Sequence, residues 1–276
     1  MDKLDRLDWL AGFSFSSYGV TIGVRANDPR LVGKLEPLLP PGWRPSSSLR
    51  VDRLYSLVVS RPTARPGVRT LNLAYADVTR LARSSNLEDV MERFESDLQL
   101  YVAESARKRL FVHAGVVEWS NKAIIVPGRS HSGKTTLVAE LVRAGARFYS
   151  DEYAVLDKDG RVHPYPKPLS VRGESGKQVR CPPEDFGGSS GKKPIPIQAV
   201  VVTSFKEGAR WRPKTVSAGK GVLALLANTV AARRKAAGSL SILQRIVTDA
   251  LVLSGPRGEA RETAELLLEA IESNGK

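Results

Sequence analysis

Cysteine is almost missing from this chain of 276 residues: Cys181 stands alone. One thiol excludes an internal disulfide framework, so nothing points to an oxidising compartment. Three histidines and one cysteine also form no cluster at zinc-ligand spacing. No apolar run approaches the roughly 18 residues that a spanning helix needs, and no membrane partner is expected. The opening stretch, MDKLDRLDWL, lacks the basic cap and apolar core of a signal peptide. These absences give a cytoplasmic, globular protein as the expectation. The chain shows no internal repeats and no Ser/His/Asp hydrolase elbow. Its length suits one large domain or two small ones and is enough to bury a proper core.

Acidic residues are scarce in one region only. Residues 158–236 carry 16 Lys or Arg against 5 Asp or Glu, so +11 of the overall +13 lies there. Such a field attracts anionic partners: nucleotide, acidic peptide or nucleic acid. Lys192, Lys193, Lys206, Arg210, Arg212 and Lys214 are candidates for a rim that binds an acceptor. Aromatics are sparse among these cations and no recognition module is visible, which stands against nucleic acid.

Periodicity divides the chain. YGVTIGVRA (18–26) and RVDRLYSLVVSR (50–61) alternate as strands, and 65–77 reads as turn and strand. PRLVGKLEPLLPPGW reads as a short helix stopped by prolines. Leu87, Val90, Met91, Phe94, Leu98, Tyr101 and Val102 line one face of a helix over 86–107, with Asn86 as its N-cap. Residues 1–85 are therefore expected to form a small α+β domain, 86–107 a connecting helix, and 108–276 the main domain. In that main domain 110–120 and 122–128 read as strands joined at Ser120–Asn121, and 135–145 as a helix. Two strands are expected around the turn DKDG within 147–165, one more at 168–172, and a buried strand at 197–205. Residues 182–194 read as a turn-rich loop. GVLALLANTVAARRK and SLSILQRIVTDALVLSG read as helices, and RGEARETAELLLEAIES as a surface helix.

Between the 122–128 strand and the next helix stands Gly128-Arg129-Ser130-His131-Ser132-Gly133-Lys134-Thr135, which fits G-x-x-x-x-G-K-[ST] without a mismatch. Glycines at those positions let successive N–H groups curl inward around an anion, and the helix that follows adds its positive end. In that pattern the lysine bridges the outer phosphates and the Ser/Thr hydroxyl meets Mg²⁺. The predicted nucleotide contacts are therefore Gly128 to Thr135, with Thr136 next in line. Phosphoryl transfer also needs a carboxylate to hold metal or to take the proton of an incoming hydroxyl. Asp151-Glu152, Asp157 and Asp249 are the candidates that the residues alone leave open.

The run HAGVVEWSNKAIIVPGRSHSGKTTLVAELVRAGARFYSDEYAVL (113–156) resembles the catalytic core of HPr kinase/phosphorylase and its relatives. His113 stands 15 residues before Gly128, and Asp151 stands 17 after Lys134, which match the family's spacing. Glu-Leu-Val-Arg-Ala-Gly-Ala at 140–146 is similar to the family's helix end. The resemblance implies an α/β class, with a P-loop core of the HPr kinase/PEP carboxykinase type on a mixed sheet, preceded by a small α+β domain. It implies an ATP- and Mg²⁺-dependent kinase. Asp151 would take the proton of the acceptor hydroxyl, Glu152 would hold Mg²⁺ with Thr135, and His113 would lie near the same site. The chain departs from the family where His113-Ala114-Gly115 replaces His-Gly and Glu152 replaces the second Asp. No convincing copy of the family's second glycine-rich signature stands downstream, so the resemblance leaves phosphorylase activity and HPr as substrate open. Shorter relatives phosphorylate a serine of ribosomally made peptides such as lasso peptides, and this chain is similar to those in size.

The expected partner is thus a peptide or protein with a Ser or Thr hydroxyl. The competitors are a small-molecule alcohol as acceptor, a nucleotide-dependent nucleic-acid binder, and a non-catalytic regulator that binds ATP only. Lys167 and Arg172, in a proline-stiffened run, are candidates to meet phosphate or an acidic acceptor. Hexamers occur in the family, but nothing in this sequence marks an assembly surface.

Overall fold

In the computed structural model the described residues are 2–60, 70–129, 132–172, 178–232, 234 and 236–274. Two compact units divide the chain at Lys108/Arg109. The first holds a short helix α1 (Asp2–Asp5), strands β1 (Ala11–Ser17), β2 (Val20–Ala26), β3 (Arg44–Ser46), β4 (Arg53–Val58), β5 (Asn72–Ala76) and β6 (Thr79–Ser84), and helix α2 (Leu87–Ser105). Its six strands run in the order β3-β1-β2-β4-β5-β6, with only β2 and β4 parallel. Tyr18 and Gly19, both at positive φ, close the β1–β2 hairpin. Asn86 caps α2 by accepting the Glu88 N–H at 2.9 Å, and Glu88 and Asp89 place acid in the positive first turn. Val90, Phe94, Leu98 and Val102 recur every fourth residue and bury one stripe of α2 in the unit's core. The helix thus belongs to the first unit. The span 29–38 forms two 3-10 turns in place of an α-helix, and the expected turn at 65–69 lies outside the described residues.

The second unit contains β7 (Leu110–Trp119), β8 (Lys122–Pro127), α3 (Lys134–Arg143), β9 (Arg147–Ser150), β10 (Tyr153–Leu156), β11 (Val162–His163), β12 (Leu169–Arg172), β13 (Gln178–Cys181), β14 (Ile197–Phe205), β15 (Lys214–Thr215), α4 (Ala218–Ala227), α5 (Ala236–Asp249), β16 (Leu251–Arg257) and α6 (Ala260–Asn274). Its main sheet is mixed and runs β11-β10-β7-β8-β14-β16-β15, with β9 paired to β7. Ser120 and Asn121, at φ 52 and 61, turn β7 into β8. Strands β8, β14 and β16 are mutually parallel, so Pro127, Phe205 and Arg257 emerge at one end of the sheet. Ligands of open α/β sheets bind at such carboxyl ends.

Helices cover both faces. On β8, Ile124 and Val126 join one core with Leu137 and Leu141 of α3 and Leu267 and Ile271 of α6. Ala123 and Ile125 point the other way, into a core with Leu225 of α4 and Leu243 and Val247 of α5. This two-residue alternation lets one strand serve two cores. Gly115 of β7 brings α3 close: a Cβ there would overlap Val138.

Two readings are corrected here. The helix expected over 221–235 ends at Ala227, and Ala227 is followed by turns. The helix expected over 239–255 stops at Asp249, and its second half is the strand β16, hydrogen-bonded within the main sheet. Helix α6 is the expected surface helix, with Ala264, Leu267, Leu268 and Ile271 buried on its inner face. Among the described residues no helix is long and apolar enough to cross a membrane.

Candidate functional site

Strand β8 delivers the chain to Gly128, and α3 starts at Lys134. Gly128 donates its N–H to the His113 carbonyl at 3.1 Å, tying the loop to β7. Little room exists beside this glycine: a Cβ would meet Ser132 Oγ at 2.8 Å and the Lys134 side chain at 3.4 Å. Gly133, at φ 78, is the left-handed residue from which α3 departs, a conformation that costs other L-residues about 1–2 kcal/mol. Ser130 and His131 lie outside the described residues. Arg129 is exposed, and its carbonyl accepts from Lys134 Nζ at 2.7 Å. Thr136 is exposed on the first turn of α3.

The bend between β9 and β10 carries the acidic pair. Buried Ser150 shapes it, because its Oγ accepts the N–H of Glu152 at 3.1 Å and of Tyr153 at 2.9 Å. Asp151 is thereby turned toward α3. Thr135 Oγ1 donates to Asp151 Oδ2 at 3.1 Å, and the Ser170 N–H of β12 lies 3.4 Å from the same oxygen. Burial pushes the Asp151 carboxyl above its ordinary value, against the pull of the Thr135 and Ser170 hydrogen bonds and of Lys134. Burial likewise lowers Lys134, while Asp151 and Glu152 together draw it back up. His113 is lowered by burial and then by Lys134, which leaves a neutral imidazole at pH 7. Its ring lies 4.9 Å from that of Tyr153, opposite it on β10.

His113, Lys134, Thr135, Asp151 and Glu152 therefore surround one loop. Lys167 is held through its N–H to the Tyr165 carbonyl, and Tyr165 is buried edge-on against Phe111 and Tyr153. Arg172 ends β12, and its side chain lies outside the described residues. Asp157 serves a different purpose: its Oδ1 accepts the Asp159 and Arg161 N–H groups and its Oδ2 meets His163 at 2.8 Å, stapling the DKDG turn. Asp249 is exposed at the end of α5.

Sequence reasoning overlooks Arg257. It leaves the carboxyl end of β16 and is 3% exposed. Its Nη2 donates to the carbonyls of Gly133 at 2.9 Å and Ser132 at 3.3 Å, and Nη1 to Gly258 at 3.3 Å. Among the described residues no carboxylate pairs with it, although Glu259 opposes the lowering that burial imposes. A buried guanidinium whose hydrogen bonds among the described residues go to carbonyls keeps its charge available to an anion at the loop.

Ser132 Oγ is buried without a hydrogen-bond partner among the described residues. An orphaned hydroxyl, a lysine, a guanidinium and a helix start fit a polyphosphate. The Thr135 hydroxyl beside Asp151 and Glu152 offers hard oxygen donors, the set Mg²⁺ takes when substrate phosphates complete its shell. Among the described residues no group of three or more His, Cys, Asp or Glu gathers as a protein-only metal site. A cavity of about 460 Å³ opens at the opposite end of the sheet, between Glu118, Trp119, Asn121, Gly145 and Arg147. There Glu118 and Arg147 already pair at 2.9 Å.

No family model matches the chain, and no curated protein matches it. Among solved structures, the HPr(Ser) kinase/phosphatase of Coxiella burnetii is similar at 10% identity and a TM-score of 0.32, over 60% of this chain and 90% of that one.

Proposed function

We propose that the second unit is an ATP-dependent kinase that transfers the γ-phosphoryl group to a hydroxyl, that of a Ser or Thr in a peptide or protein. The observation that carries this reading is the half-buried Asp151 carboxylate bonded to Thr135, the first residue after the loop lysine. A carboxylate that only holds Mg²⁺ needs no raised proton affinity, whereas burial raises that of Asp151, which suits a base.

In this reading the N–H groups of the loop, the Ser132 hydroxyl and the positive end of α3 receive the phosphates of ATP. Lys134 releases the Arg129 carbonyl to meet them. Mg²⁺, when bound, neutralises charge on the β- and γ-phosphate oxygens. Thr135 and Glu152 are the residues to hold it. Asp151 accepts the proton of the acceptor hydroxyl, and burial, by raising its proton affinity, makes it a stronger base than an exposed aspartate. The acceptor oxygen forms the new bond to phosphorus as the bond to the β-phosphate oxygen breaks, and ADP leaves with that electron pair. Lys134 and Arg257 offset the charge that spreads over the transferring oxygens. Neutral His113 adds no competing charge and can donate one hydrogen bond.

The Thr135–Asp151 hydrogen bond favours a second division of labour, with Asp151 on the metal and Glu152 as base. Two variants separate them. If Asp151 is the base, Asp151→Asn leaves Mg·ATP binding intact and abolishes transfer, while Glu152→Gln raises the Mg²⁺ concentration that transfer needs. The reverse pattern assigns the roles the other way. The parent reading is tested with γ-labelled ATP and an array of Ser- and Thr-containing peptides, followed by mass mapping of the label. Salt-sensitive binding of nucleic acid with no label on any hydroxyl would replace the kinase by a nucleotide-dependent binding protein. Label on a small alcohol alone would move the acceptor class.

A further inference from the structure

Among the described residues of the second unit's main sheet, one large apolar side chain is exposed, and it stands where β14 ends. Phe205 is 54% exposed. Strand register places it directly beside Arg257, and β14 neighbours β8, the strand that leads into the phosphate loop. The Arg257 Cζ lies 5.7 Å from the centre of the Phe205 ring, within the roughly 6 Å range of a cation over an aromatic face. The same guanidinium reaches the Gly133 carbonyl at 2.9 Å. One residue thus links the ring to the loop. The remaining exposed large apolar residues of this unit, Val179, Leu223 and Leu240, belong to β13, α4 and α5. Trp211 and Tyr149, Tyr153 and Tyr165 are buried and offer no open face.

We propose that Phe205 is the shelf on which the base of the nucleotide stacks, an inference that rests on the reading of Gly128–Thr135 as the holder of its phosphates. An aromatic face open to water beside a polyphosphate cradle suits a flat, π-rich group tethered to phosphate, and a nucleobase is that group. Arg257 joins the two parts, with its Cζ 5.7 Å from the ring centre and its Nη2 on the Gly133 carbonyl, so one charge serves both ring and phosphates. Stacking reads the face of a base and not its edges. The shelf therefore holds adenine and guanine alike, and holds either better than the smaller face of a pyrimidine.

The test is calorimetric titration of the full chain, with Mg²⁺ present, by ATP, CTP and inorganic triphosphate. Phe205→Ala weakens ATP about tenfold, within the range for removing an aromatic under a base, and leaves inorganic triphosphate unchanged. Phe205→Tyr, which keeps the ring, restores ATP affinity, and the wild-type preference for ATP over CTP shrinks in Phe205→Ala. The shelf is overturned if Phe205→Ala leaves ATP affinity intact, or if it weakens ATP and triphosphate by the same factor. Binding of triphosphate as tight as that of ATP to the wild type sinks the shelf and spares the phosphate site. Failure of the wild type to bind either ligand sinks both.

Discussion

Replacing Gly133 by alanine tests how tightly the loop and Arg257 are joined. Gly133 sits at φ 78, and a Cβ there would fall inside 3.0 Å of Arg257 Nη2. The backbone term alone costs about 1 kcal/mol, the lower end for an L-residue in the left-handed region. The overlap adds a second term, because the guanidinium must swing away and give up its 2.9 Å bond to the Gly133 carbonyl. A hydrogen bond from a charged donor is worth about 1.5–3 kcal/mol, and this donor is buried. Gly133→Ala should therefore lose about 3 kcal/mol in urea-induced unfolding. Gly187 supplies the control: its φ is 75, yet nothing lies within 4 Å of its would-be Cβ, so Gly187→Ala should lose only about 1 kcal/mol. In an Arg257→Ala background the overlap is gone, and Gly133→Ala should fall back toward the control. The non-additivity of that double-mutant cycle measures the contact. Equal losses for Gly133→Ala and Gly187→Ala, or strict additivity in the cycle, would refute the placement of Arg257 against the loop.

Further outcomes follow from other parts of the structure. Because burial raises Asp151 in the folded state, its ionisation opposes folding, and that penalty appears as pH rises through the raised value; Asp151→Asn should melt higher than wild type at pH 8, with the difference vanishing in acid. Burial alone would raise Asp157, but His163 and the Arg161 and Asp159 N–H groups outweigh it and hold the carboxyl low. Its stabilisation is then present above about pH 4 and lost as pH falls through the lowered value, so urea midpoints of wild type and Asp157→Asn should converge at acid pH and separate at neutral pH. Phe94 is fully buried and meets Tyr55 edge-on at 5.1 Å between ring centres, so Phe94→Ala should cost the first unit about 3–5 kcal/mol in chemical unfolding.

The sequence made legible what is local. Eight consecutive residues spell the loop, and a strand before and a helix after it can be read from periodicity. The residues alone left Asp151-Glu152, Asp157 and Asp249 open and the family resemblance pointed to the first pair, yet only Ser150, whose hydroxyl folds the bend, explains why one carboxylate reaches Thr135. Arg257 was hidden for a physical reason. Its partner Gly133 is 124 residues away, and the strand that carries it follows α5 after one intervening residue, Ala250. A short apolar run without polar alternation reads equally as buried strand or as helix. Strand β6 was missed for the opposite reason: Thr79, Arg80 and Ser84 make it polar, and pairing with β5 decides its form. The one-residue linkage of Phe205 to the loop is visible only once β14 and β16 are aligned.

The most direct measurement is a crystal structure of the full chain with Mg²⁺ and a non-hydrolysable ATP analogue. The account predicts the triphosphate in the curve from Gly128 to Thr135, with Lys134 withdrawn from the Arg129 carbonyl and the Asp151 carboxylate facing the terminal phosphorus. A triphosphate bound anywhere else, or an Asp151 turned away from that phosphorus, would contradict it.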